Sequence, residues 1–500
     1  MQTTRGTTVM RITSGWWLWL AMALAVPAFG DTTSSLLQPV GPHPSVTTHL
    51  KGRFNGAKLK YTARVEALDV SDANGHSSIV SFAYTRDGVK DAARRPVTFL
   101  FNGGPIAPSA WVHLGGLGPF RVDIPDEVGA DPGAFHIIGN EYSPLDATDL
   151  VFVDPASTGW SRVAGGSKPE AWFSIKADAQ QFVAFIQAWL AAHGRSGSPV
   201  YVFGESYGTN RAAEIAGQVA ETPAAFHLAG VFLYGQAVNI IEYARRPANI
   251  TSYAVSLPTL AAIAWYHGRI DRGGKTQDAF LEEARQFARS EYLPALFQGA
   301  RLPAPDQQRI AARLEQYSGI PASWYLAHAL RITKEEFRQE LLKDRGLLLG
   351  RSDARYTAPL GPKGRAEDPS GVLPLTVAKL FEAYRRDTLH VDWPEAYLTG
   401  SPVAELEGWE WNGSKTPFGD WPYAQRISKM MSVNPAFKVV VANGWYDTST
   451  TVGAAELLVA QAGWDPARTT LHFYDGGHMG YSVAATARAI GDDIREWVKQ

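Results

Sequence analysis

The segment that most constrains this chain is a five-residue motif between an apolar run and a helical pattern. Residues 200–203 are apolar and end at Gly204-Glu205-Ser206-Tyr207-Gly208, and a helical pattern follows at residues 210–220. A strand, then G-x-S-x-G, then a helix predicts a tight turn that exposes a serine hydroxyl at the carboxyl end of a sheet. Small residues flank the serine because this turn has little room for side chains. Ser206 is therefore the first candidate nucleophile.

Other short apolar runs bounded by turn residues predict the remaining strands of the sheet. Such runs are typical of strands that are buried on both faces of a parallel sheet. They lie at residues 97–101 and 150–153, and further strand-like runs lie at residues 61–68, 79–84, 230–234, 438–442 and 470–474. Apolar residues at helical spacing within 175–192 and 485–499 predict helices against this sheet. We expect an α/β fold with a mostly parallel central sheet.

The strand pattern is interrupted once by a long segment that is richer in charge and mostly helical in pattern. The chain has 500 residues, and single cores stop growing near roughly 250–300 residues. We therefore predict one α/β domain formed by residues 49–238 and 430–500, with a helical cap inserted at residues 239–429.

The N-terminus has the pattern of an export signal. Arg5 and Arg11 precede a short apolar run at residues 16–25, and small residues at 28 and 30 offer a cleavage site before Asp31. The run is shorter than the roughly 20 apolar residues of a membrane span. The pattern predicts a signal peptide at residues 1–30, followed by a leader at 31–48. The alternatives are an uncleaved anchor and a buried N-terminal helix.

Composition excludes several classes of function. The chain has no cysteine, which excludes disulfides, cysteine-ligated zinc, iron–sulfur clusters and a thiol nucleophile. The net charge of -2 shows no excess of positive charge of the kind that binds nucleic acid. Export without cysteine is typical of a bacterial periplasmic or secreted protein rather than of a disulfide-dependent one. We expect no membrane association once the signal is removed, and the sequence does not indicate an oligomeric state.

Two further residues complete a catalytic constellation with Ser206. Asp447 follows the predicted strand at 438–442, and His478 follows the one at 470–474. The order Ser, Asp, His is the order of α/β-hydrolases. His478 would take the serine proton, and Asp447 would orient the imidazole. Asp475 is a rival acid, but Asp447 lies at the end of its own strand, from which it can face the far nitrogen of the histidine.

The chain resembles the serine carboxypeptidases, a family of α/β-hydrolase exopeptidases, and among them the bacterial members. Six anchors in order carry this resemblance, together with the stretch at residues 253–268. The anchors are N-G-G-P at 102–105, L-G-P at 117–119, residues 140–161, G-E-S-Y-G at 204–208, G-W-Y-D at 444–447 and G-H-M at 477–479.

The resemblance implies a role for each matching residue. Ser206, Asp447 and His478 correspond to the nucleophile, acid and base of the family. The backbone N–H groups of Gly104 and Tyr207 correspond to its oxyanion hole, which agrees with the general rule that the amide after the nucleophile is one donor.

The resemblance further implies that Asn102 and Glu205 bind the free carboxylate of the substrate. Two carboxyl groups at hydrogen-bonding distance share a proton, so Glu205 is expected to bind substrate when it is protonated.

The chain departs from the family pattern at two places. Family members usually have Gly-Ser/Cys-Ser after N-G-G-P, whereas this chain has Ile106-Ala107-Pro108-Ser109. Many members also have a Glu before Leu-Gly-Pro, where this chain has Gly116. The first departure bears on the loop that carries Asn102 and Gly104, and the second bears on the preference for acidic pH.

We expect an exported serine carboxypeptidase that releases C-terminal amino acids from peptides with a free C-terminus, without a metal or cofactor. One alternative is an esterase, amidase or acyltransferase that uses the same site. A second alternative is a binding protein that keeps the fold without catalysis, because fold alone does not settle function.

Overall fold

A ten-stranded sheet organises the molecule. The computed structural model describes residues 43–125, 127–222, 225–243, 246, 248–361, 368–400, 408–411 and 420–499. The strands are β1 (Val46–Phe54), β2 (Ala57–Asp72), β3 (Gly75–Arg86), β4 (Val97–Phe101), β5 (Phe120–Asp123), β6 (His136–Gly139), β7 (Asp149–Val153), β8 (Arg162–Ala164), β9 (Val200–Glu205), β10 (Leu228–Tyr234), β11 (Leu347–Leu349), β12 (Thr357–Pro359), β13 (Lys438–Gly444) and β14 (Thr469–Tyr474).

The α-helices lie mainly on the two faces of this sheet and in the segment between β10 and β13. They are α1 (Ala110–Val112), α2 (Ile175–Ala192), α3 (Gly208–Glu221), α4 (Ile240–Tyr243), α5 (Ile250–Ala254), α6 (Leu257–Tyr266), α7 (Gln277–Phe287), α8 (Leu293–Gln298), α9 (Ala304–Ser318), α10 (Ala322–Ala327), α11 (Lys334–Glu340), α12 (Val372–Asp387), α13 (Tyr423–Val433), α14 (Val452–Gln461) and α15 (Ala484–Val498).

The large sheet has the order β1-β2-β3-β7-β4-β9-β10-β13-β14, and β8 pairs with β3. The neighbours from β7 to β14 are parallel, whereas β1, β2, β3 and β8 pair antiparallel. The α/β fold with a mostly parallel sheet is thus confirmed. Strands β4, β7, β9 and β10 are buried along their whole length, as expected of strands covered on both faces.

The parallel strands bring distant parts of the chain to one edge of the sheet. The loops after β4, β9, β10, β13 and β14 all leave from carboxyl ends, which meet at the same edge. Ligand sites of open α/β sheets form at this edge. Residues 102–109, Ser206, Gly235, Asp447 and His478 are in these loops.

The segment predicted as a cap takes part in three hydrophobic clusters. Helices α6 to α10 share a core that reaches Tyr446. Helix α12 instead packs with one sheet face through Val377 and Phe381, and α13 packs with the other through Ile427 and Met430. The boundaries at 239 and 429 stay a prediction, but only the first part of this segment has a core of its own.

Some elements differ from the sequence-based expectations. β1 begins at Val46, so the last residues of the range predicted as a leader form a strand. The alternating burial of β1 fits an antiparallel edge strand, which has a weaker apolar signal than a buried strand. The short hairpin of β5 and β6 was not predicted either. Residues 1–42, which include the predicted signal peptide, lie outside the described residues. Within the described part of the chain, no helix has the length and apolar character needed to cross a membrane.

Candidate active site

Ser206 lies on a sharp turn between β9 and α3. Its backbone φ angle is +58°, in the left-handed region that residues other than glycine rarely adopt. A Cβ placed on Gly204 would lie 2.2 Å from the carbonyl oxygen of Gly208. Only glycine therefore fits at position 204. The strained turn leaves Ser206 half-buried, while its flanking residues Glu205 and Tyr207 are buried.

Asp447 and His478 meet at the ends of two adjacent parallel strands. His478 Nδ1 lies 2.6 Å from Asp447 Oδ2, and both residues are almost fully buried. Asp447 also accepts hydrogen bonds from the backbone N–H groups of Ser449 and Thr450 and from the Thr450 hydroxyl. Asp475, the rival acid, is exposed. The arrangement places the Nδ1 proton toward Asp447 and leaves Nε2 available as a base.

Burial alone would lower the pKa of His478, but the negative charge of Asp447 and the hydrogen bond to it raise the pKa above its usual value. This pairing stabilises the imidazolium that forms when the histidine takes a proton.

His478 is held close to the nucleophile through β10. The Ser206 backbone N–H donates to the Tyr234 carbonyl, and the next residue, Gly235, contacts the imidazole. A Cβ on Gly235 would lie 3.1 Å from His478 Cε1. Among the described residues, no hydrogen bond joins the Ser206 hydroxyl to His478. Such bonds are often long without substrate and tighten when it binds.

Two backbone N–H groups are free to stabilise an oxyanion. The amides of Gly104 and Tyr207 find no hydrogen-bond acceptor within the described part of the chain. The approach is tight, because a Cβ on Gly103 would lie 2.6 Å from the Tyr207 nitrogen. Gly104 has a φ of +110°, which favours glycine. The glycines of the N-G-G-P loop therefore bring this loop beside the nucleophile.

Residues Ile106–Ser109, which differ from the family pattern, lie in a loop that is held by hydrogen bonds at both ends. At one end, the fully buried Arg211 donates to the carbonyl oxygens of Asn102 and Pro105. At the other end, Ser109 donates its backbone N–H and its hydroxyl to Asp154 Oδ1, each at 2.7 Å. These contacts hold the loop although its sequence differs from the family pattern.

Asn102 and Glu205 form a buried pair next to the nucleophile. Asn102 Nδ2 donates to Glu205 Oε2 at 2.9 Å, and Asn102 Oδ1 accepts from the Val112 backbone N–H. The Tyr481 hydroxyl also donates to Glu205 Oε2, at 2.5 Å. Burial raises the pKa of Glu205 to about 7, although His478, Tyr481 and Asn102 favour its ionised form. Glu205 can thus hold a proton at mildly acidic pH.

The structure brings together every residue that the sequence placed in the site, and it adds several that the sequence did not indicate. Arg211 and Asp178 form a buried ion pair with an Nε–Oδ2 distance of 2.7 Å. Tyr207 Oη donates to the same Asp178 oxygen at 2.9 Å. Tyr481 was not predicted, although it lies three residues after His478. No local signal identifies these residues, because their roles depend on contacts between distant segments.

No group of three or more metal-ligating residues occurs in the part of the chain that the structure describes. The site itself offers a serine, an imidazole with an acid partner, two free amides and a buried carboxyl.

Comparison with known proteins gives a consistent result. The family model of serine carboxypeptidases matches residues 69–285. A pheromone-processing carboxypeptidase KEX1 from Colletotrichum graminicola is 28% identical over 204 residues. This match covers 40% of our chain and 30% of the length of that relative.

Among solved structures, KEX1(delta)p, a prohormone-processing carboxypeptidase from Saccharomyces cerevisiae, superimposes with a TM-score of 0.52 at 15% identity. The alignment covers 86% of our chain and 91% of that structure, and it supports the α/β-hydrolase fold. The family match contains Ser206, Glu205 and the N-G-G-P loop, whereas Asp447 and His478 lie beyond it. Residues 69–285 are thus similar to the serine carboxypeptidase family, and the fold is that of an α/β-hydrolase.

Proposed function

We propose that this protein is a serine carboxypeptidase that removes single amino acids from the free C-terminus of peptides. The observation that carries the proposal is the buried hydrogen-bonded pair of Asn102 and Glu205. Glu205 is the residue directly before the nucleophile. An amide donor and a carboxyl that holds a proton near pH 7 are suited to a terminal carboxylate.

The proposed reaction begins with attack by Ser206 Oγ on the last peptide carbonyl. His478 Nε2 takes the serine proton, and Asp447 stabilises the resulting imidazolium. The amides of Gly104 and Tyr207 donate to the oxyanion of the tetrahedral intermediate. His478 then gives its proton to the amine of the departing amino acid as the C–N bond breaks. Water, activated by the same histidine, hydrolyses the acyl-enzyme and frees Ser206.

We further propose that the protein is exported from a bacterial cell. The support is the basic start, the short apolar run and the small residues before Asp31, together with the absence of cysteine. Intact-mass measurement of the protein recovered from outside the cytoplasm should give a chain that starts at Asp31. Recovery of the full-length chain in the cytoplasm would contradict export.

The activity is tested with pairs of peptides that differ only in a free or amidated C-terminus. We expect stepwise single-residue loss from the free peptide at pH 5 to 7, followed by mass spectrometry. The amidated peptide should remain intact because its C-terminus offers no carboxylate to Asn102 and Glu205.

Ser206→Ala is the control for this experiment. It should show only the residual rate, about 10³–10⁴-fold over water, that binding and the oxyanion hole provide. Equal cleavage of both peptides by the wild type would indicate an amidase or esterase. Lack of covalent labelling of Ser206 by a fluorophosphonate, together with no turnover of peptides or esters, would favour a binding protein that keeps the fold.

A further inference from the structure

The ring of Tyr481 lies against Gly115 and Gly116 of the π-helical segment His113–Leu117, which directly follows α1. Tyr481 is only 1% exposed. A Cβ on Gly116 would lie 2.6 Å from Tyr481 Cβ and 2.8 Å from its Cδ2, and a Cβ on Gly115 would lie 2.9 Å from its Cε2. Any side chain at position 116 would displace the ring. The tyrosine therefore occupies space that is open only because this chain has glycine there.

The hydroxyl of Tyr481 donates a hydrogen bond to one carboxyl oxygen of Glu205, Oε2. Oε2 accepts from Tyr481 Oη at 2.5 Å and from Asn102 Nδ2 at 2.9 Å. An amide N–H cannot act as an acceptor, and the two donors use both lone pairs of Oε2. Among the described residues, no donor reaches Oε1. When Glu205 binds a proton, the free position for that proton is therefore Oε1.

We propose that Tyr481 is a positioning residue that keeps the proton of Glu205 on Oε1, so that Oε1 donates to the terminal carboxylate of the substrate. This inference rests on the proposed carboxypeptidase function. A neutral carboxyl offers a donor without placing a second negative charge beside the substrate anion. Burial and the nearby Glu205 raise the pKa of Tyr481 well above its usual range, so the phenol keeps its proton and can donate at every working pH.

Several titratable groups surround Glu205 and must be separated in a test. His478 and Tyr481 face it from the loop after β14, Asp447 from the loop after β13, and Tyr234 from β10. The ionisation of His478 affects the turnover of every substrate, whereas the ionisation of Glu205 affects only substrates with a free carboxylate. Comparison of two substrates therefore isolates Glu205.

The experiment measures kcat/KM against pH for a peptide with a free C-terminus and for a p-nitrophenyl ester without a carboxylate. The ratio of the two profiles should fall with a midpoint near pH 7 in the wild type. Tyr481→Phe keeps the ring on Gly115 and Gly116 but removes the donor that stabilises ionised Glu205. Since a hydrogen bond to a charged group contributes about 1.5–3 kcal/mol, the midpoint should rise by about one to two pH units. The ester profile should not change.

Two further variants control for nonspecific effects. Tyr234→Phe removes another buried hydroxyl from a ring 6.0 Å away that does not bond to Glu205, so the midpoint should stay. Gly116→Ala should displace the ring by contact and raise the midpoint as Tyr481→Phe does. An unchanged midpoint in Tyr481→Phe, or the same shift with the ester, overturns the role of Tyr481.

A failure of the proposed function is distinguishable from a failure of this inference. If the wild type cleaves esters but releases no amino acid, the carboxypeptidase assignment is wrong. The pKa of Glu205 can then be measured directly by NMR with ¹³C-labelled glutamate, its signal identified by its absence in Glu205→Gln. A higher pKa in Tyr481→Phe still supports the Tyr481–Glu205 contact, and an equal pKa overturns it.

Discussion

Two buried carboxyl groups lie near Ser206, and they differ in the kind of donor that each accepts. Asp447 faces an imidazole, two backbone amides and a hydroxyl, which share its two oxygens. Glu205 receives one phenol and one side-chain amide, both on the same oxygen. The donors to Asp447 hold it against His478, whereas Glu205 is a carboxyl whose raised pKa lets it hold a proton.

Asp447 and Glu205 lie at the same edge of the sheet, but their surroundings suit them to different roles. Donors that saturate both oxygens favour the charged form, and burial without a full set of donors favours the neutral form. Asp447 is therefore suited to supporting the base, and Glu205 is suited to reading the carboxylate of a substrate. Substitutions at these two carboxyl groups and at Arg211 test this division of roles.

Asp447→Asn should have the largest effect, because it removes the charge that orients His478 and stabilises the imidazolium. We expect kcat to fall by about 10⁴-fold, with little change in KM. Steady-state kinetics on a free peptide and on an ester should show the same loss. Thr450→Val removes a single donor to Asp447 and serves as the matched control, with a much smaller loss expected. A large rise in KM with unchanged kcat in Asp447→Asn would contradict the division of roles.

Glu205→Gln should change how stability depends on pH. The pKa of Glu205 is about 7 in the folded protein and 4.5 ordinarily. Because the folded state binds more protons in this window, its stability falls as pH rises from 4.5 to 7, by about 3 kcal/mol from this group.

Urea unfolding at pH 4.5 and pH 8 should show that the stability of Glu205→Gln falls less than that of the wild type, by this amount. The exposed Glu496→Gln is the control and should behave as the wild type does. Equal falls in wild type and Glu205→Gln would mean that the pKa of Glu205 in the folded protein is not raised above its ordinary value.

Arg211→Lys tests a third buried carboxyl, Asp178, whose partner is a permanent cation. Lysine can keep a charge beside Asp178 but cannot donate at once to Asp178 and to the carbonyls of Asn102 and Pro105. The oxyanion loop should loosen, and a misplacement of about 1 Å costs about 10²-fold in rate. We expect this loss in kcat for esters and peptides alike. Tyr207→Phe removes only the phenol bond to Asp178 and should have a milder effect.

Glu205→Gln should have its smallest and most specific effect on the pH profile of peptide hydrolysis. The wild type should lose about tenfold in kcat/KM for each pH unit above 7, because the proposed function requires protonated Glu205 to bind the carboxylate. Glutamine cannot ionise, so the ratio of peptide to ester activity should become independent of pH. If the ratio falls equally in both proteins, another group is responsible for the titration.

Much of the fold could be predicted from local sequence patterns. The buried strands β4, β7, β9, β10, β13 and β14 are short apolar runs between turn residues, and this pattern is strong because both of their faces are covered. The edge strand β1 and the hairpin of β5 and β6 were missed, because partial burial leaves few apolar residues to indicate a strand.

The residues of the candidate site also fall into two groups, those that local sequence patterns indicate and those that they do not. Ser206, Asp447 and His478 were predicted because each follows a strand, and parallel strands end at one edge. The loop of Asn102 and Gly104 was predicted from its resemblance to a known motif. Arg211, Asp154 and Tyr481 were not, because their partners are distant in the chain and no local pattern records such contacts.

The sequence by itself thus determined where the buried strands lie along the chain and which residues follow their carboxyl ends, since these depend on local burial and turn chemistry. Only the tertiary structure decided the state and environment of Glu205. Its pKa depends on how far the site is buried and on a tyrosine that approaches from 276 positions later in the chain. That ring can approach because Gly115 and Gly116 leave it space, and a contact of this kind exists only once the sheet has brought the loops together.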